Sequence, residues 1–165
     1  MGGPRIRAAA LAVALAGCAS ARAGEPPAAP CTDAAGLERV VDAYFQLVSG
    51  PSGQRIPAAF TGLFLEDARM DAMGIDARGQ SAFFPQSPSE YAHHVDEYRG
   101  ERGFFQTPVS RATTCHARSA SVDVWFESKN APGGPLIDHG LLSMHLLRLE
   151  GGWRIAHVQW SSTPG

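Results

Sequence analysis

The hydrophobic period of this chain changes once along its length, and that change limits the folds open to it. Up to about residue 99 the apolar residues recur at helical spacing; from residue 107 onward they sit in β-rich runs. Leu37, Val40, Val41, Tyr44, Leu47 and Val48 form an i, i+3, i+4, i+7 stripe, with Glu38, Arg39, Asp42 and Gln46 off it. The stripe predicts a helix over 33–49, capped by Thr32 or Asp33 and stopped by Gly50-Pro51. Pro57 opens a short second helix with Phe60, Leu63 and Phe64 on its apolar side, and Glu66 to Asp71 approaches a short strand. Residues 74–86, with Gly74, Gly79 and Pro85, are expected as loop. Ser87-Pro88-Ser89-Glu90 is a capping box with Pro at the first helical position, and the third helix it opens runs to about Arg99. Residues 107–116, 121–129, 137–149 and 153–161 are strands, separated by turns such as Glu150-Gly151-Gly152. Three helices followed by a four-stranded antiparallel meander give an α+β fold.

Length and charge narrow the partners. At roughly 100–200 residues per domain, 165 residues make one domain with room for a tail. Fourteen basic against sixteen acidic residues leave nothing to neutralise a phosphate backbone, which argues against nucleic acid as a partner. Lys129 is the only Lys, so lysine chemistry is confined to that position. Three Cys are too few for a disulfide scaffold or a four-Cys metal site, and no motif calls for a cofactor.

The first thirty residues lie outside the fold. Arg5 and Arg7 precede the apolar run 8–17, which is far shorter than the ~20 residues a membrane span needs. The run ends in Leu15-Ala16-Gly17-Cys18, which resembles the lipobox of bacterial lipoproteins. The resemblance implies a signal peptide over 1–17, acylation of Cys18 and a lipid anchor on the periplasmic side of a bacterial membrane. The alternative is cleavage after Ala21-Arg22-Ala23, which releases a soluble periplasmic or secreted protein. Residues 18–30, rich in Ala and Pro, make a flexible, disordered tether before a folded domain at 31–165. Export leaves Cys31 and Cys115 in an oxidising compartment, where a disulfide between them is expected; two separate buried thiols are the alternative.

Three segments carry a family resemblance: Val40-Val41-Asp42-Ala43-Tyr44, Leu63-Phe64-Leu65-Glu66-Asp67-Ala68, and the hairpin Leu146-Leu147-Arg148-Leu149-Glu150-Gly151-Gly152-Trp153-Arg154-Ile155. Over about residues 33–162 the chain resembles the nuclear-transport-factor-2-like, or SnoaL-like, superfamily. The resemblance implies a cone, in which a strongly curved antiparallel sheet wraps around about three N-terminal helices and a pocket opens at one end. The superfamily contains isomerases, cyclases, hydrolases and binding proteins, so fold does not settle function. Against ketosteroid isomerase, Tyr44 matches the oxyanion-hole Tyr. The general-base position falls on Ala72, one residue after Asp71, and the second acid falls near His145. One position kept, one shifted and one replaced argue against the same reaction.

Alternation along the strands predicts what faces the pocket. Val122, Val124, Phe126 and Ser128 share the inner face of one strand, leaving Asp123, Trp125, Glu127 and Lys129 outside. Placing Arg148 outside sends Ser143, His145, Leu147 and Leu149 inward. Placing Arg154 outside sends Trp153, Ile155, His157 and Gln159 inward. The pocket expected from this is lined by Tyr44, Phe64, Met70, Phe126, His145 and His157, and it suits a small, largely apolar ligand. Asp71, His145 and His157 are the candidate catalytic residues for proton transfer, with Tyr44; each His is otherwise a hydrogen-bonded wall residue. The same Asp and His set could chelate a metal, but no metal is assigned. His93-His94 is a diverging helical pair, and Trp125 on the outer face suggests a homodimer contact. Three functions follow: a lipid-anchored small-molecule-binding protein, a proton-transfer enzyme (isomerase, dehydratase or hydrolase) in the same pocket, or a structural module.

Overall fold

The computed structural model describes residues 29–75 and 78–165; Cys18 and the whole signal and tether region up to residue 28 lie outside them. Helix α1 spans Ala34–Val48. Asp33 caps it, its carboxylate accepting from the Gly36 amide at 2.9 Å. Leu37, Val41, Tyr44, Phe45 and Val48 form its buried face. The second helix expected from Pro57 is only a turn followed by one 3₁₀ turn, Thr61–Leu63. Phe60 is fully buried there, so the segment acts as a plug whose length is set by the strand that begins at Phe64.

That strand, β1 (Phe64–Ile75), is longer than the sequence suggests, and the expected loop 74–86 contains an edge strand, β2 (Ser81–Gln86). The breakers that suggested loop are compatible with this hairpin. Gly79, at φ 75°, lies in the turn before β2, and Pro85 sits on an edge strand, where a missing N–H is tolerated. Helix α2 (Pro88–Glu101) follows, then β3 (Phe105–His116), β4 (Ser119–Lys129), β5 (Leu136–Leu149) and β6 (Gly152–Pro164). The sheet order is β2-β1-β6-β5-β4-β3. Among the described residues two α-helices therefore serve six strands, where three helices and four C-terminal strands were expected. The sheet is also not wholly antiparallel, because β1 pairs in parallel with β6. The chain can make that pairing because the whole of α2 and the β3–β5 meander lie between the two strands.

The sheet is curved and unclosed, and it wraps around α1. Register shifts occur between Pro108 and Ser110, between Ser128 and Lys129, and between His145 and Leu146, the last leaving Ala156 of β6 without a partner. Such bulges bend a strand and raise its twist. The core between sheet and helices joins α1 to Phe60, Met70, Val122, Val124, Leu142, Met144, Leu146, Trp153, Ile155 and Val158. Cys31 and Cys115 are joined by a disulfide with a Cα separation of 5.3 Å, which fixes the start of the domain to the end of β3. Beside it, the Thr32 amide donates to the Ala117 carbonyl at 2.9 Å.

The start of α2 yields a test. Ser87 accepts from the Glu90 amide, and Glu90 accepts from the Ser87 amide at 2.6 Å. The backbone hydrogen bond from Ser87 holds the Glu90 carboxyl below its ordinary range. A lowered carboxyl pKa stabilises the fold above the unfolded value, and that contribution disappears as pH falls through the folded value. Loss of the serine cap in Ser87→Ala is expected to cost about 1 kcal/mol at neutral pH. Urea unfolding at pH 7 and again at pH 3 checks both parts: the penalty should shrink in acid, where Glu90 is protonated and half of the box is already lost.

Candidate functional site

The inner face of the sheet differs from the sequence expectation on two strands. On β4 the alternation holds: Val122, Val124, Phe126 and Ser128 are buried and Trp125 is 54% exposed on the outer face. On β5 the parity is reversed. Leu142, Met144 and Leu146 are buried, while His145, Leu147 and Leu149 are exposed. Arg148, taken as an outward marker, belongs to the inward set at the closed end, where its guanidinium lies 3.6 Å from the Asp33 carboxylate that caps α1. On β6, Trp153 and Ile155 face the core, but the unpaired Ala156 shifts the pattern by one residue. Val158 then faces inward, and His157 and Gln159 face out.

His145 and His157 therefore do not line the cone with Tyr44, and the expected joint site of one phenol and two imidazoles is not formed. Tyr44, Phe64 and Met70 are buried core residues. Tyr44 packs on Phe60 and Phe64. Burial first, then the neighbouring Tyr91, drives the Tyr44 pKa well above the ordinary phenol value.

Asp71, His157 and His145 do converge, but on the outer face. His157 Nε2 lies 2.7 Å from Asp71 Oδ2. The two imidazoles stack with centroids 6.0 Å apart and planes within 5°. Ser121 Oγ and His145 Nδ1 are 3.1 Å apart, which extends the row from β1 across β6 and β5 to β4. Asp71 is only 8% exposed, and Arg69 lies 3.9 Å from its other oxygen. This row is a polar seam of the outer face, the face that also carries exposed Trp125. Of the helical pair, His93 meets Glu97 at 3.4 Å and His94 Nδ1 lies 3.0 Å from Gln86 Oε1.

The open end of the cone holds a cavity of about 260 Å³ between α2 and the inner face of the sheet. Tyr91, Tyr98, Phe104, Phe126 and Trp160 supply its aromatic wall, and Gln86 and His94 also line it. One patch of the wall is polar. Gln106 on β3 is paired in register with Ser128 on β4, and Ser128 with Asp138 on β5. The three residues form a single row across three adjacent strands, spanning about 10 Å at the usual strand spacing. Gln106 Oε1, Ser128 Oγ and Asp138 Oδ1 are all buried without a hydrogen-bond partner. Buried polar atoms are nearly always paired, so three orphans on one cavity wall are a strong departure from the norm. Tyr91 joins this wall to the core: burial, together with the Asp138 carboxylate, pushes its pKa up to about 12, against the lowering effect of Tyr44.

Of the pocket residues expected from sequence, only Phe126 lines this cavity. Ser128 was legible as the polar member of an otherwise apolar inward row. Asp138 was hidden by the same parity error that turned His145 inward. Gln106 fell just outside the strand expected from residue 107.

No protein-family model matches the chain, and no curated protein matches it. Solved structures do. An NTF2-like protein with a cystatin-like fold from Novosphingobium aromaticivorans superposes with a TM-score of 0.57 at 13% identity, over 77% of this chain and 79% of that one. The fold is the NTF2-like cone. A protein of unknown function from Mycobacterium tuberculosis matches with a TM-score of 0.61 at 13% identity, over 78% of this chain and 70% of its own. A neighbour from Novosphingobium aromaticivorans, provisionally named a scytalone dehydratase, gives a TM-score of 0.56 at 15% identity over 78% of this chain and 83% of its own. At these identities the likeness concerns the NTF2-like cone itself and leaves the chemistry to this chain's own residues.

Proposed function

We propose that this protein binds a small, largely apolar molecule bearing one or two polar atoms in the cavity at the open end of the cone. The observation that carries the proposal is the row Gln106, Ser128 and Asp138, three inward polar groups left unpartnered on an aromatic-walled cavity. An orphaned buried polar group costs about 1–3 kcal/mol, which a ligand hydrogen bond recovers. An apolar cavity with a few convergent polar groups is the usual form of a small-molecule site. A second reading, a proton-transfer enzyme of the isomerase, dehydratase or hydrolase kind, is favoured by the Asp138 carboxylate lining the same cavity as the Tyr91 phenol. It moves the base from Asp71 to Asp138.

The protein is further proposed to be exported and anchored through acylated Cys18. Leu15-Ala16-Gly17-Cys18 supports this, as does the Cys31–Cys115 bridge, since disulfides persist in oxidising compartments. Among the described residues no helix is long and apolar enough to cross a membrane.

The binding test is a ¹H–¹⁵N NMR titration of the purified protein with benzyl alcohol. The expected result is saturable shifts of the Trp160 indole and the Gln106 and Ser128 amides, with the Trp125 indole on the outer face unmoved. Ser128→Leu, which fills the cavity and removes one orphan, is expected to abolish those shifts; Phe126→Ala, which enlarges it, should leave them. Shifts spread over the outer face, or none at all, would count against the cavity as the site.

A further inference from the structure

We propose that the cavity selects a protonated amine carried on a small aromatic body. This rests on the binding reading above and narrows it to one ligand class. The polar wall is a wall of acceptors. An ionised carboxylate accepts only, the Gln106 orphan is its carbonyl oxygen, and a serine hydroxyl can accept as readily as donate. Of the lining residues none is Lys or Arg, and the one basic side chain, His94, is engaged with Gln86. The Asp138 carboxylate thus has a buried oxygen without a hydrogen-bond partner on a largely apolar wall, and among the described residues no Lys or Arg lines that wall.

A neutral hydroxyl ligand would meet one acceptor and leave the charge uncompensated. An ammonium brings three N–H donors and a full positive charge. Ser128 and Asp138 are register partners on neighbouring strands, about 5 Å apart at the backbone, so a single ammonium seated between them can donate to both. The remaining wall favours the same ligand. Tyr91, Phe126 and Trp160 line it, and aromatic rings attract a cation within about 6 Å of the ring centre and also pack on an aromatic body. Asp138 and Tyr91 line the same cavity, and the carboxylate adds to the burial that raises the Tyr91 pKa. An anionic ligand would meet repulsion from the Asp138 carboxylate.

The experiment compares three probes of one shape at pH 7: benzylammonium, benzyl alcohol and benzoate, each followed by the Trp160 indole and the Gln106 and Ser128 amides. In the native protein benzylammonium is expected to bind at least about tenfold more tightly than benzyl alcohol, equivalent to about 1.4 kcal/mol, with benzoate weakest. In Asp138→Asn that ratio should fall to within about threefold, the remainder being aromatic attraction. Asp138→Glu, which keeps the charge, should retain the preference, and this guards against a fold defect in the Asn variant. Equal binding of the alcohol and the ammonium by the native protein, or a preference that survives Asp138→Asn, would overturn the amine inference while leaving the cavity as a ligand site. Failure of all three probes to move the lining residues would instead remove the binding reading itself.

Discussion

Trp153→Ala is expected to destabilise the protein by about 4 kcal/mol, close to a thousandfold in the folding equilibrium. Trp153 is 1% exposed and is the largest fully buried side chain among the described residues. Its indole Nε1–H donates to two carbonyls at once, Thr32 at 3.1 Å and Asp33 at 2.9 Å. Those carbonyls flank the N-cap of α1, where Asp33 holds a left-handed backbone at φ 57°. One side chain thus fills the closed end of the cone and clamps the start of the helix that the sheet wraps. Trp153→Phe keeps most of the apolar area and loses the hydrogen bonds, so it should cost about 1–1.5 kcal/mol beyond the loss of volume. Urea unfolding of both variants reads the two numbers. A penalty below 1 kcal/mol for the alanine variant would mean that the closed end is not organised around this ring.

The second large effect concerns the disulfide. The bridge joins residues 84 apart. In the chain-entropy description a loop of that scale is worth about 4 kcal/mol, through the freedom it removes from the unfolded chain. Cys31→Ser with Cys115→Ser is expected to lose roughly that amount, and either single variant should lose nearly as much, because the cross-link needs both partners. Denaturation with and without a reductant gives the same difference in the native protein, while the doubly substituted protein should be insensitive to the reductant. Beside the bridge, the Thr32 and Ala117 amides hold the same segment by backbone bonds that do not need the disulfide. A loss under 1 kcal/mol would show that these bonds order the unfolded ensemble by themselves.

Much of the cone was legible in residue order. The α1 stripe from Leu37 to Val48, the Ser87-to-Glu90 box that opens α2, and the alternation of Val122, Val124, Phe126 and Ser128 depend on neighbours within a few residues, which sequence displays directly. What was misread depends on contacts far along the chain. The parallel pairing of β1 with β6 joins segments about ninety residues apart and leaves no local signature. The facing of β5 could not be read from its own residues, because both of its faces carry leucines. The one marker, Arg148, turns inward because its partner Asp33 lies at the far end of the chain. The parity of β6 changes at Ala156 because a bulge there is set by pairing with β5.

The candidate site follows the same division. The sequence by itself determined that the chain would form an α+β cone, which strand carries Ser128 inward, and which histidines and acids were available. The tertiary structure decided which of them share a space. Because one residue of offset exchanges the two faces of a strand, it sent Asp71, His145 and His157 to the outer face as a hydrogen-bonded and stacked row, and brought Asp138 to the cavity beside Ser128 and Gln106.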